Sequence, residues 1–260
     1  MKRPALIGIV NVTPDSFSDG GRMDRAAIAH AEMLAHTGAD ILDIGAESTR
    51  PGAVLLTPDE EWARLEPVLQ GIHAQSWRPK VRLSLDTRHA ETARKALAFG
   101  LDIINDVSGC MDAAMGDLLR EHPCDMVVMH ALGVPPDPAV TLTGDPIAVV
   151  LAWKAAMMEA AQAQGIGAER LIFDPGIGFG KTARQSLELI LRSGELVATH
   201  GRWLFGHSRK SFIRTVTPVD APQRDEVTRA FSSVLAGAGV DYLRVHDVAG
   251  HRAMFDALCT

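Results

Sequence analysis

No run of hydrophobic residues in this chain approaches the ~20 needed to cross a bilayer as a helix, although 47% of its residues are hydrophobic. That apolar content is therefore available for a core. Cysteine is scarce: Cys110, Cys124 and Cys259 are an odd number with no metal-type spacing. A disulfide framework and a zinc cluster are both excluded, and a reduced, cytoplasmic chain is the expectation. Positive charge is in deficit, with 26 Lys and Arg against 32 Asp and Glu and a formal charge of −6. That balance argues against general nucleic-acid binding, and an anionic ligand would need a local basic cluster. The apolar run after Met1-Lys2-Arg3-Pro4 ends at Val12, too short for a secretory core. No break in composition marks a linker, so residues 1–260 read as a single domain.

What is present is an alternation. Short apolar runs occur at Leu6–Val12, Ile41–Ala46, Val81–Asp86, Ile103–Val107, Met126–His130, Leu171–Asp174, Trp203–Gly206 and Tyr242–His246. Helix-like stretches rich in alanine, leucine and charge separate them, at Asp24–Thr37, Pro58–Gln75, His89–Phe99, Met111–Glu121, Pro146–Gln164, Ala183–Ala198 and Gln223–Ala238, with His251–Leu258 closing the chain. Gly38, Gly100, Gly165 and Gly239 each follow a helical pattern, as a residue that accepts positive φ just past a helix should. The strands are continuous rather than alternating in hydrophobicity, which suits a parallel sheet covered on both faces. Eight such units predict a single (β/α)8 TIM-type barrel, with an open doubly wound sheet as the alternative. The loop Gly133–Pro146, with its four prolines, is expected to be a mobile βα loop.

Polar residues recur at the C-terminal ends of these strands: Asn11, Asp43 and Glu47, Asp86, Asn105 and Asp106, His130, Asp174, Ser208 to Ser211, and Arg244, His246 and Asp247. Any one of them reads as a turn former, a helix cap or a satisfied interior histidine. Recurrence at every strand end points instead to an active site on the C-terminal face of the barrel. Arg50, Arg209, Lys210, Arg244 and His246 form a basic rim suited to phosphate or carboxylate. Asp86, Asn105 and Asp174 can pair with the donor and acceptor edge of a flat heterocycle. One ligand with an anionic end and an amidine-like ring satisfies both sets.

Two nucleotide-binding signatures fail. In Asp174-Pro175-Gly176-Ile177-Gly178-Phe179-Gly180-Lys181-Thr182 the first Walker A glycine falls at Pro175, and the third glycine of G-x-G-x-x-G falls at Lys181. The glycines then suit a loop that lets a ligand approach backbone. Lys210 beside Arg209 keeps a Schiff-base aldolase open as an alternative.

The blocks NVTPDSFSDGG (Asn11–Gly21), DIGAESTRPGA (Asp43–Ala53), SLDT (Ser84–Thr87), INDVSG (Ile104–Gly109), DPGIGFGK (Asp174–Lys181), GHSRKSF (Gly206–Phe212) and RVHDV (Arg244–Val248) resemble, in order, the signatures of the dihydropteroate synthases. The resemblance runs from about Leu6 to Val248. It implies a transferase of folate biosynthesis, and a sulfonamide target, that condenses (7,8-dihydropterin-6-yl)methyl diphosphate with 4-aminobenzoate and releases diphosphate. It implies a pterin-binding set of Asp86, Asn105, Asp174 and Lys210, and a diphosphate clamp of Arg50, Arg244 and His246. Asn11, joined by Asp19, would hold Mg²⁺ shared with diphosphate oxygens. Phe17 and Ser18, Thr49 and Pro51, Phe179, Lys210 and Ser211 would form the 4-aminobenzoate pocket. The catalytic work then falls to Arg50, Lys210, Arg244 and His246, which stabilise the departing diphosphate together with the metal. An arylamine is nucleophilic at neutral pH, which accounts for the lack of a nucleophile–base pair. A homodimer through the last two helices is the implied assembly.

The chain departs from the family pattern at several points. Ala46 replaces a glycine, the fifth block Met129–Pro135 loses a methionine, and Gln185-Ser186 stands where a His-Asn pair is usual. The R-x-x-G-[ST] pattern reads Arg224-Asp225-Glu226-Val227-Thr228. These positions bear on helix packing, the fifth loop and dimer contacts. The competing functions are a non-catalytic pterin-binding paralogue and a methyltetrahydrofolate methyltransferase on the same barrel.

Overall fold

The computed structural model describes residues 2–13, 22–48, 55–109, 113–137 and 139–258. Its strands are β1 Ala5–Asn11, β2 Ile41–Gly45, β3 Arg82–Asp86, β4 Ile103–Asp106, β5 Asp125–Met129, β6 Leu171–Asp174, β7 Arg202–Phe205 and β8 Tyr242–Val245. They pair in sequence order, all parallel, and β1 closes on β8 through Ala5↔Tyr242 to Gly8↔Val245. The barrel is therefore the architecture, and the open sheet is not.

Around it lie α1 Arg22–His36, α2 Pro58–His73, α3 Ala90–Ala96, α4 Ala113–Glu121, α5 Pro146–Ala163, α6 Ala183–Leu191, α7 Ser193–Val197, α8 Asp225–Ala238 and α9 Val248–Leu258. The helix starts have local causes. Thr57 and Glu60 form a reciprocal capping box ahead of α2, with Pro58 in its first turn, and Asp145 caps α5 by accepting from the Ile147 N–H. The four glycine stops all adopt positive φ. The expected helix Ala183–Ala198 is instead two, broken at Arg192, whose side chain pairs with Asp145 and Glu195. Helix α9 begins three residues before the expected His251, at Val248. Among the described residues no helix is long and apolar enough to cross a membrane, and Cys124 is a buried free thiol.

Strand parity divides the apolar residues into two cores. Leu42, Leu83, Ile104, Phe173, Trp203 and their like face outward into the helices. Ile7, Ile41, Ile103, Val127, Ile172, Leu204 and Tyr242 face inward and plug the barrel. Burying each such side chain contributes about 1.5–3 kcal/mol. Residues two further along the same strands face inward above the plug, and there the polar residues begin. The departure at Gln185 is absorbed locally. Gln185 completes a capping box with Thr182 and donates to the Leu142 carbonyl at 2.8 Å, tying α6 to the loop after β5.

Candidate active site

Asp43 lies two residues past the plug residue Ile41 and is 1% exposed. Its carboxylate accepts from the Ser84 hydroxyl, from Asn105 Nδ2 at 3.0 Å and from Arg244 Nε at 2.6 Å. Arg244 extends its other nitrogen to Asp86 Oδ2 at 2.7 Å. One guanidinium thus bridges two carboxylates on neighbouring strands. Burial pushes the Asp86 carboxyl up to about 7, with Arg244 opposing and Asp43 adding to the rise. Burial also disfavours the charge on Arg244, but Asp43 and Asp86 outweigh it and hold that group above its ordinary value.

The facing wall carries Asp174 at the end of β6, 6% exposed, with the Gly176 N–H donating to its Oδ1 at 2.7 Å. The inward position on the β7 side is Gly206, where a Cβ would stand 3.5 Å from Asp174 Oδ2. Absence of that side chain leaves room beside the carboxylate for a flat ligand. Burial raises the Asp174 carboxyl, against the pull of Lys210. Burial in turn lowers the Lys210 ammonium to about 8, with Asp174 opposing. Lys210 Nζ donates to the Ile177 carbonyl and sits 4.7 Å from the centre of the Phe179 ring.

The rim differs from expectation in two respects, at Arg209 and at Arg244. Arg209 does not join it as a free cation, because its guanidinium forms a two-point pair with Asp225 at 2.7 and 2.6 Å. His246 lies half-buried with Nδ1 2.9 Å from Ser208 Oγ. Asn11 is exposed at the end of β1 beside Gly45, and Ser211 is exposed at the start of a turn of 3₁₀ helix. Arg244 points down to the two carboxylates rather than outward. Phe17, Ser18, Asp19, Thr49, Arg50 and Pro51 lie outside the described residues. Among the described residues no group of three or more His, Cys, Asp or Glu converges to hold a metal.

Sequence reasoning passed over two elements of this site. Asp43 was visible as a polar strand residue, but not as the hub, although its inward parity with Ile41 was the available signal. The other is Lys181, 8% exposed, which donates to the His130 and Phe179 carbonyls, each at 3.0 Å, with His130 Nδ1 at 2.8 Å. Burial lowers Lys181 to about 7 and His130 to about 4. This lysine stitches the glycine loop after β6 to the end of β5. Gly176 makes the close approach possible: its φ is +68°, and a Cβ there would lie 1.9 Å from the His130 carbonyl oxygen.

A family model described as pterin binding enzyme matches residues 7–246. The chain is 42% identical over 266 residues to the dihydropteroate synthase of Neisseria meningitidis serogroup C, covering 99% of this chain and 92% of that protein. It is also 42% identical over 250 residues to a probable bifunctional folylpolyglutamate synthase/dihydropteroate synthase of Halobacterium salinarum, covering 95% of this chain but only 30% of that longer protein. Among solved structures, the Xanthomonas albilineans dihydropteroate synthase in complex with 7,8-dihydropteroate superposes with a TM-score of 0.86 at 35% identity, over 100% of this chain and 95% of that one.

Proposed function

The chain belongs to the pterin-binding enzymes as a dihydropteroate synthase, and from that premise we propose how its residues divide the reaction. It is a transferase that joins a dihydropterin methyl group to 4-aminobenzoate with diphosphate as the leaving group. The observation that carries the division of roles is the polar layer above the apolar plug, where Asp43, Asp86, Asn105, Arg244, Asp174 and Lys210 meet inside the barrel.

The Asp174 carboxylate, made basic by burial, accepts the amino and imino N–H groups of the pterin. Asn105 has one amide N–H committed to Asp43, which fixes the ring-facing orientation of its carbonyl and second N–H. Lys210 donates to the ring's acceptor side, and Asp86, paired to Arg244, closes the deep end of the pocket. Arg50 and His246 are assigned to the diphosphate, and Arg244, turned toward Asp43 and Asp86, adds its positive charge from the pterin side. Phe17, Ser18, Thr49, Pro51, Phe179 and Ser211 receive 4-aminobenzoate beside Lys210.

Asn11 offers one amide oxygen at an exposed strand end, a donor set that suits a Mg²⁺ ion completed by Asp19, diphosphate oxygens and water. That ion, when bound, neutralises charge developing on the departing diphosphate. In the reaction the CH₂–O bond breaks with its electron pair leaving on diphosphate. The arylamine nitrogen supplies the pair for the new C–N bond and then releases a proton to solvent. The electron-rich dihydropterin ring stabilises the positive carbon, so the residues of the layer bind, orient and exclude water. A homodimer through α8 and α9, whose Val234 and Leu258 are exposed, and a cytoplasmic location complete the proposal.

The test is diphosphate release by purified protein supplied with the dihydropterin methyl diphosphate and Mg²⁺, with and without 4-aminobenzoate. Release that requires 4-aminobenzoate, with matching dihydropteroate, supports the reading. Tight pterin binding with no turnover would replace it by the non-catalytic paralogue.

A further inference from the structure

Among the described residues Arg209 is the sole non-glycine with a left-handed backbone, at φ +59°. A side chain with a Cβ is sterically disfavoured there, so something must hold the turn. Three groups from the start of α8 do so. Asp225 grips the guanidinium at 2.7 and 2.6 Å, Arg224 donates to the Arg209 carbonyl at 2.8 Å, and the Arg209 N–H donates to Thr228 Oγ1 at 3.3 Å. These anchors are not surface decoration: Arg224 is 5% exposed and Thr228 is 0% exposed. Arg224 also donates to the Val219 carbonyl, and the Thr228 carbonyl meets His207 Nε2 at 3.2 Å, directly before the turn.

The residue that leaves this turn is Lys210, in extended conformation at φ −66° and ψ 155°, and its ammonium reaches the Ile177 carbonyl and the Phe179 ring. A relaxed, right-handed Arg209 would send Lys210 in another direction. We propose that Arg224, Asp225 and Thr228 form a positioning device that holds Arg209 in its left-handed turn and so delivers Lys210 into the pterin site. The inference rests on the reading of Lys210 as a pterin contact. It also gives a use to the Arg224–Thr228 segment, where Val227 replaces the family's glycine but the two ends of the pattern persist on the Arg209 backbone. Arg209 is then a positioning residue and not an anion ligand.

The test is a mutant cycle on the full chain, read as the dissociation constant for the dihydropterin methyl diphosphate by calorimetry, with thermal melting alongside. Asp225→Asn should weaken binding about tenfold in the native background and less than about twofold in a Lys210→Met background, because both changes act through one ammonium. Equal factors in the two backgrounds would overturn the device and leave Asp225 a general stabiliser. Arg209→Gly, free to keep the turn, should bind at least about threefold more tightly than Arg209→Ala, which must strain to keep it. Equal affinities of those two variants would also overturn it. Thr228→Ser should restore what Thr228→Val loses, and an unrestored loss counts against the hydroxyl's role. If Lys210→Met alone leaves pterin affinity unchanged, the site reading itself fails. If Lys210→Met weakens binding and Asp225→Asn does not, only the positioning device fails.

Discussion

The two ends of the barrel carry the same kind of charge cluster with opposite arithmetic. At the N-terminal end, the first residues of β3, β5 and β7 are Arg82, Asp125 and Arg202, and one carboxylate serves two guanidiniums at 3.4 and 2.8 Å. At the C-terminal end one guanidinium, Arg244, serves two carboxylates at 2.6 and 2.7 Å. The positive charge at the first end is tolerated, because Arg82 also lies 3.9 Å from Asp102, guanidinium is weakly hydrated and the two arginine side chains retain 43% and 28% exposure. Excess negative charge at the second lies where the Asp43 side chain is fully buried, and burial drives Asp86 up to about 7. The first end is finished on its acceptor side, where Asp125 serves two cations, although Arg202 Nε is buried there without a hydrogen-bond partner. The second has acceptor capacity left over, as a site for a ligand rich in N–H donors requires.

The strongest way to break this comparison is at Asp174, on the unfinished end. Asp174→Ala removes the acceptor proposed for the amino and imino edge, and pterin affinity should fall by at least about a hundredfold, as for loss of a charged two-point hydrogen bond. The same change removes a desolvated carboxylate, so the melting temperature should hold or rise. Calorimetry and a thermal melt on one preparation give both numbers. Undiminished pterin affinity would take Asp174 out of the site.

Asp86 gives a second, pH-resolved contrast. A carboxyl ordinarily titrating near 3.8 but held at about 7 in the folded chain binds a proton there that the unfolded chain has already released. Its contribution to stability is therefore full below the ordinary value and is lost as pH rises through about 7. Asp86→Asn has no such proton to lose, so its stability relative to the parent chain should climb between about pH 4 and pH 7. Urea unfolding of both proteins across that window measures the difference. Parallel curves would mean that Arg244 fully compensates Asp86 and that the C-terminal end is as finished as the other.

Much of this contrast is legible in the sequence. The alternation of strands and helices is legible to within a few residues, and Asp43, Asp86, Asn105 and Arg244 meet from four strand ends as a parallel barrel allows. Parity was the deeper signal: Ile41 and Asp43 must face the same way, so a plug followed by a carboxylate was implicit in β2. What was not legible depended on partners far along the chain. The inward turn of Arg244 is fixed by Asp43 and Asp86, 201 and 158 residues away in sequence. The pairing that withdraws Arg209 from the rim depends on Asp225, across a segment with no strand or long helix. The break between α6 and α7 likewise follows from Arg192 meeting Asp145 on another helix start. Local pattern places a residue on a face, but only tertiary partners decide where a long cation points.

The smallest expected effect lies at the finished end. Asp125→Asn removes the charge that Arg82 and Arg202 share, while Arg202 keeps its contacts to the Glu169 carbonyl and to Tyr242 Oη at 3.5 Å. These side chains are partly exposed, and pairs of that kind contribute roughly 0.2–1 kcal/mol each, so a loss of about 1 kcal/mol is expected. A cluster that serves only the fold should leave the KM for both substrates and kcat unchanged, and added salt should shrink the difference between variant and parent. Denaturant unfolding at two ionic strengths, with steady-state kinetics on the same samples, separates the possibilities. A change in pterin KM from Asp125→Asn would mean that the apolar plug transmits strain between the ends. The charge at the base of the barrel would then belong to the site, and the division drawn between the two ends would be wrong.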